Sequence, residues 1–422
     1  MDFCFTRYDF KYEQYANDLK GKKSLPNRYV HESDVGLESI PKIMKNGREV
    51  YQENKIVRVA VFGLGRIGII HLEKLLSHPS VKLMYCVEAD KKRAQFVECR
   101  YNLFGVKFLT PDEEEIVLND EELDAIIIGT PTQLHEKLVI KALEAGKGVL
   151  CEKPLAVTFE GMRRCYELAN KFNLPLLCAF NRRFDPSFRQ IKDRVERGEV
   201  GQVQMVKTCA RDCPLPSLEY LKTSGGIFHD CAVHDIDMIC WILGEYPITV
   251  YAEGHAFIPE IEAIGDYDTV SITMKFASGI IASIDLSRNA VYGYDQRLEV
   301  FGSKGMLCSN GVRPTAVEHH SSIGATQVPI CYSFASRYAE AYNIEVEHFI
   351  NCMKGTQQID VKDFQTLAVN KVASCCEESA KEKKVVEIQK SIYEFGFETK
   401  VDRLAMNGVN GISEENGVNL IK

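Results

Sequence analysis

Three residues carry the chemistry this sequence could perform: Lys153, Asp230 and His234. Lys153 stands in Cys151-Glu152-Lys153-Pro154 after a short apolar run, where a parallel strand would deliver its ammonium to the carboxyl edge of a sheet. Asp230 and His234 lie in Gly225-Gly226-Ile227-Phe228-His229-Asp230-Cys231-Ala232-Val233-His234-Asp235-Ile236-Asp237. On a regular helix residues four apart share a face, and Asp237 and Trp241 continue the row. An imidazole titrates near neutrality and can take a proton from a hydroxyl, while a neighbouring carboxylate orients it or binds substrate itself. A lysine ammonium can donate to the same oxygen and favour its developing negative charge. Asp237 would accept from a further hydroxyl. Such a set suits the oxidation of a secondary alcohol beside a hydride acceptor. Each residue also has an ordinary reading: Lys153 as a solvated loop lysine, Asp230 as a helix cap, the trio as a paired, solvated helix face.

A site for that acceptor is legible upstream. The apolar run 57–62 leads directly into Gly63-Leu64-Gly65-Arg66-Ile67-Gly68, and a helix follows over 68–76. This is the Gly-x-Gly-x-x-Gly loop in the strand–turn–helix setting that gives it meaning. Gly63 permits the tight turn, Gly65 lets a pyrophosphate approach the backbone, and Gly68 lets helix and sheet pack closely. Glu88, twenty residues after Gly68, falls at the end of the next strand and can accept both adenosine ribose hydroxyls. That favours NAD. Lys91, Lys92 and Arg93 leave NADP open, because they could hold a 2′-phosphate if Glu88 turned away. Gly129-Thr130-Pro131-Thr132 follows the run 125–128 at a carboxyl sheet edge, which puts Thr130 and Pro131 on the expected nicotinamide side. His135 is either a cofactor contact there or a packing residue, and Glu152 and Lys153 emerge on the same edge.

The elements that must position these groups follow from periodicity. Short apolar runs at 57–62, 81–87, 106–109, 125–128, 148–151 and 174–179 alternate with helical stretches, which predicts a parallel sheet covered on both faces. Past Asn181 the rhythm changes. Helices are expected over 186–197 and 230–243, and strands over 203–209, 248–253, 269–276, 280–286, 296–301 and 306–309, with Ala277-Ser278-Gly279 as a hairpin turn. The predicted fold class is α/β: an N-terminal Rossmann-type parallel sheet over 56–180, then an α+β domain with a largely antiparallel open sheet over 181–388. Helices near 338–353 and 363–380 should pack on one of these two domains. Residues 1–55 read as an extension, an arm or packing strap in which 14–19 could be helical. Residues 389–422 read as a tail.

Composition narrows the partners. With 51 Lys and Arg against 59 Asp and Glu the formal charge is −8, which leaves no electrostatic footprint for nucleic acid. No stretch approaches 18 consecutive apolar residues, so no membrane span is expected. Asp2, Asp9, Glu13 and Asp18 argue against a leader at the start of the sequence. The 15 cysteines are scattered, with Cys86, Cys151, Cys178 and Cys308 at strand positions, so a reducing, cytoplasmic setting is expected. No metal is expected either: His229 and His234 diverge on a helix, and Cys209-x-x-x-Cys213 has no matching second pair.

At this point the sequence resembles the glucose–fructose oxidoreductase/inositol dehydrogenase/MocA family over residues 57–388. The loop 63–68 and Glu152-Lys153-Pro154 mark the family at large. More specific are Asn181-Arg182-Arg183-Phe184-Asp185, Thr223-Ser224-Gly225-Gly226, His234-Asp235-Ile236-Asp237 and Tyr292-Gly293-Tyr294-Asp295-Gln296-Arg297. The resemblance implies NAD-dependent oxidation of a sugar or cyclic polyol, with the inositol dehydrogenases, which convert myo-inositol to scyllo-inosose, as the nearest group. It assigns catalysis to Lys153, Asp230 and His234, supports Asp237 as a polyol contact, and suggests Asn181, Tyr292 and Tyr294 near the substrate. It also implies a homo-oligomer, commonly a tetramer. Two alternatives stay open: a dehydrogenase of another sugar such as glucose, and a regulatory or scaffold protein that binds dinucleotide without turnover.

Overall fold

The computed structural model describes residues 42–45, 48–51 and 55–388. The suggested helix at 14–19 and the tail from 389 lie outside the described residues. Residues 1–55 and 56–422 form separate units. In the first, Lys42–Lys45 and Arg48–Tyr51 pair as an antiparallel hairpin, a feature the sequence reading did not expect of the arm.

In the second unit six strands, β1 (Val57–Phe62), β2 (Val81–Val87), β3 (Lys107–Leu109), β4 (Ala125–Ile128), β5 (Gly148–Glu152) and β6 (Leu176–Ala179), lie in the order β3-β2-β1-β4-β5-β6. Every neighbouring pair is parallel. Helices cover the faces: α1 (Arg66–Ser77), α2 (Lys91–Tyr101), α3 (His135–Glu144) and α4 (Phe159–Phe172). With both faces covered, β4 buries all four of its residues, which is why it reads as an unbroken apolar run. The strand order reverses between β1 and β4, where the loops at 63–65 and 129–131 leave the sheet, the place at which open α/β sheets form a ligand crevice.

After α5 (Pro186–Glu196) the chain enters a seven-stranded sheet. Its strands are β7 (Val203–Arg211), β8 (Pro247–His255), β9 (Thr269–Phe276), β10 (Ile281–Ser287), β11 (Asp295–Gly302), β12 (Gly305–Ser309) and β13 (Val386–Glu387), in the order β12-β11-β7-β10-β9-β8-β13. Only β7 and β10 run parallel; the other pairs are antiparallel. On β9, Val270, Ile272, Met274 and Phe276 are buried while Ser271, Thr273 and Lys275 are exposed, the period-two alternation of a sheet with one covered face.

Three helices complete the core. The expected helix over 230–243 is in fact a wide π turn at Phe228–Ala232 followed by α6 (Val233–Leu243). Every residue of α6 except His234 is buried, as befits a helix that is apolar nearly all round. Trp241, the single tryptophan, has Arg183, Arg189 and Lys192 at 5.7, 5.3 and 5.2 Å from its ring centroid. The late helices α7 (Ala339–Met353) and α8 (Asp363–Glu382) touch both halves rather than one. Glu347 of α7 meets His78 at the end of α1 at 2.8 Å. Thr366 of α8 accepts from Tyr166 of α4 at 2.9 Å, while Ser379 Oγ of α8 accepts from the Ala252 N–H of β8 at 2.9 Å.

Candidate active site

A cavity of about 630 Å³ opens along the crevice between β1 and β4 and continues to the second sheet. Gly65, Arg66, Ile67, Thr130, Pro131, His135 and Glu152 line its nucleotide side; Lys153, Asn181, Asp230, His234 and Tyr294 line the other end. The loop is built as glycine geometry requires. A Cβ on Gly68 would sit 1.9 Å from the Gly63 carbonyl oxygen, so only glycine lets α1 pass the turn, whereas a Cβ on Gly65 would meet nothing within 4 Å. That open space over a helix N-terminus fits a dinucleotide pyrophosphate.

The remaining loop residues act through the backbone and the core. Leu64 is fully buried, and its N–H donates to Glu88 Oε2 at 2.6 Å. Glu88 Oε1 accepts from the Asp90 N–H at 2.9 Å, and Arg93 Nε donates to the Leu64 carbonyl at 2.8 Å. Glu88 therefore braces the loop from the position expected of the ribose acid. His135 has its two ring nitrogens 2.8 Å from the Pro154 and Thr130 carbonyl oxygens, which ties the exit of β5 to the loop after β4. Glu152 Oε1 is 2.7 Å from Nε2 of the buried His71.

At the other end Lys153 Nζ donates to the Asp230 carbonyl at 2.5 Å and to Asp230 Oδ1 at 3.1 Å. Oδ1 also accepts from Tyr220 at 2.8 Å, and Oδ2 from Arg288 at 2.9 Å. Burial alone would raise the Asp230 pKa, but the Lys153 and Arg288 charges and the Arg288 and Tyr220 hydrogen bonds outweigh it and hold the carboxyl well below its usual range. Of the two roles expected for Asp230, partner of His234 or substrate ligand, the first is not seen: its carboxylate accepts from these three donors. The π turn explains the difference, because it breaks the regular four-residue spacing on which that expectation rested.

His234 stands at the cavity wall with the Phe180 ring edge-on at 6.1 Å and its Nδ1 buried without a hydrogen-bond partner. Burial pushes its pKa well below 6.5, the Lys153 and Arg182 charges push it further, and Asp230 opposes them only in part. The imidazole is neutral.

Two expected substrate contacts are corrected. Asp237 is 1% exposed and holds Arg183 through bonds of 2.9 and 2.6 Å, so it serves the core and not the cavity. Tyr292 is half exposed and donates to Asp295 at 3.0 Å, outside the cavity lining. Asn181 and Tyr294 do line it. The sequence reading passed over Tyr220, Arg288, Arg182 and Asp212. Arg182 and Asp212 both face the cavity, and Arg182 pairs with Asp235 at 3.1 Å. Burial raises the Asp212 pKa, with Asp230 adding to the effect against Arg182. Arg288, fully buried just past the end of β10, breaks an otherwise ordinary strand exit and is the one signal that was available. Among the described residues no group of three or more His, Cys, Asp or Glu side chains could hold a metal ion, and no helix is long and apolar enough to cross a membrane.

Comparison with known families decides the class. Residues 57–180 match the model of the oxidoreductase family with an NAD-binding Rossmann fold, and residues 188–308 match the GFO/IDH/MocA C-terminal domain. The chain belongs to the GFO/IDH/MocA oxidoreductases. It is 36% identical to the inositol 2-dehydrogenase of Rhizobium meliloti (strain 1021) over 333 residues, 79% of this chain and 99% of that one. It is also 36% identical to the scyllo-inositol 2-dehydrogenase (NAD(+)) of Bacillus subtilis (strain 168), over 73% of this chain and 89% of the relative. The scyllo-inositol dehydrogenase of Lactobacillus casei, solved with NAD(H) and scyllo-inositol, superposes with a TM-score of 0.73 at 26% identity, covering 79% of this chain and 99% of that one. This GFO/IDH/MocA protein is accordingly an NAD-dependent oxidoreductase.

Proposed function

We propose that this protein oxidises a ring hydroxyl of a cyclic polyol, with myo-inositol to scyllo-inosose as the leading reaction. One observation carries the reading: Lys153, from the end of a first-domain strand, and His234, from a second-domain helix, line one cavity together with the nucleotide loop. Bound NAD+ supplies the hydride acceptor at such a site. Neutral His234 takes the hydroxyl proton, and the Lys153 ammonium donates to the same oxygen as alkoxide character develops. Asp230, kept ionised, holds Lys153 in place. Asn181, Tyr294, Arg182 and Asp212 are the polar groups available to the remaining ring hydroxyls. Relatives named for myo-inositol and for scyllo-inositol are both 36% identical to this chain, so identity does not choose the hydroxyl. A homo-oligomer is part of the proposal, supported by the exposed apolar side chains Tyr251, Ile281, Phe301 and Met306 on strands of the second sheet; light scattering measures it.

The test is NADH formation with myo-inositol, scyllo-inositol and D-glucose. His234→Ala and Lys153→Ala should each lower kcat by about 10²- to 10⁴-fold. Unchanged turnover in both variants overturns the assigned roles, and faster turnover of glucose moves the substrate.

A further inference from the structure

Three donors converge on Asp230, and they are not equivalent. Lys153 and Tyr220 share Oδ1, at 3.1 and 2.8 Å, while Arg288 takes Oδ2 at 2.9 Å. Tyr220 belongs to a single helical turn, Leu218–Leu221, whose N-cap Ser217 accepts from the Tyr220 N–H at 3.3 Å. Its ring also neighbours Arg66 of the nucleotide loop. Arg66, the first residue of α1, has its guanidinium carbon 5.8 Å from the Tyr220 centroid and 4.8 Å from that of Phe334. Contacts thus run from the N-terminus of α1 through Arg66, Tyr220 and Asp230 to Lys153, and return to the same parallel sheet through β5.

We propose that Tyr220 is a positioning residue: its hydroxyl loosens the Asp230–Lys153 pair by competing for Oδ1, and its ring ties that adjustment to the nucleotide loop through Arg66. A carboxylate oxygen that accepts a second strong hydrogen bond holds its first donor less tightly. With Tyr220 in place the Lys153 ammonium is freer to turn toward a substrate oxygen. A dinucleotide at the loop brings negative charge close to Arg66, a cation that can either stack on Tyr220 or pair with that charge. Occupancy of the loop is then felt at Lys153, and by linkage the substrate end is felt at the loop. Burial, followed by the Asp230 charge, raises the Tyr220 pKa, so the phenol stays protonated and able to donate. The proposal rests on the reading of Lys153 as donor to the substrate oxygen.

Competitive acetylation of lysines in the full chain, read peptide by peptide by mass spectrometry, follows the Lys153 amine without any substrate. Tyr220→Phe keeps the ring and removes the shared hydrogen bond; it should slow Lys153 labelling at neutral pH by about threefold or more. Calorimetry should find its NAD+ affinity within about twofold of wild type, since the ring facing Arg66 remains. Saturating NAD+ should change Lys153 labelling in wild type and change it less in both Tyr220→Phe and Arg66→Gln. Asp230→Asn should speed labelling, and Tyr220→Phe added to it should do nothing further to Lys153. Identical labelling in wild type and Tyr220→Phe overturns the proposal, as does an undiminished NAD+ response in the two variants or an effect of Tyr220→Phe on the Asp230→Asn background. If Tyr220→Phe does not fold, Arg66→Gln decides through the NAD+ response alone. A polyol panel without turnover would remove the functional reading while leaving this labelling result intact.

Discussion

His234 and Asp237 are three residues apart and face different fates, which sets different expectations for each. His234 stays neutral because burial, first, and the Lys153 and Arg182 charges, second, disfavour its imidazolium. With His234 as the proposed base, the acid limb of kcat/KM should therefore lie below 6.5, as a pH profile of the wild type measures. The stability consequence has a definite sign. As pH falls through 6.5 the unfolded chain gains a proton on this histidine that the folded chain refuses, so His234 lowers stability increasingly in acid. Asp230, with its pKa depressed, contributes stability above its ordinary 3.8 and loses it as pH falls toward the folded value. Asp237 predicts a different outcome. Asp237→Asn leaves Arg183 buried without its ionised partner and should cost about 3–5 kcal/mol in urea unfolding. Since Asp237 does not face the cavity, KM for the proposed polyol substrate should stay near the wild-type value. The sequence showed the types of these acids without their burial. A carboxylate that serves an arginine in the core and one that serves a substrate look the same in a string of letters.

At the scale of elements the last two glycines of the loop 63–68 separate folding from binding. Gly68→Ala drives a Cβ into the Gly63 carbonyl and should lower Tm, with loss of NAD+ affinity as a consequence. Gly65→Ala meets open space, at a backbone φ of −67° that alanine adopts freely, and should leave Tm unchanged. It should still weaken NAD+ by about tenfold or more, because it blocks the close approach of the pyrophosphate. Calorimetry and thermal melts of both variants measure the contrast. Elements of this kind were the most legible part of the chain: β1, the loop and α1 are contiguous, and their period and glycines specify them locally. The π turn at 228–232 was not legible, because an extra residue in a helical turn changes no hydrophobic period that a short window can register. Arg288 and Tyr220 were hidden for a related reason. They reach Asp230 from 58 and 10 residues away, and only the folded second sheet and the turn at 218–221 bring them there.

Over the whole molecule, α7 and α8 bind the parallel sheet and the mixed sheet into one compact unit, so separate melting of the two halves would break both their packings at once. The late helices were expected to pack on one of the two domains, and their sequence does not say that each has two hosts. Unfolding should then be a single transition, with urea midpoints that coincide for every probe. Trp241 makes this unusually easy to check. As the chain's lone indole, seated among three cationic side chains on the helix that carries His234, it restricts tryptophan emission, excited selectively over the 18 tyrosines, to one address in the second half. That emission therefore watches the second-sheet side alone, while circular dichroism averages over the entire backbone. An offset between the two traces would reveal a half that lets go early, with no label attached.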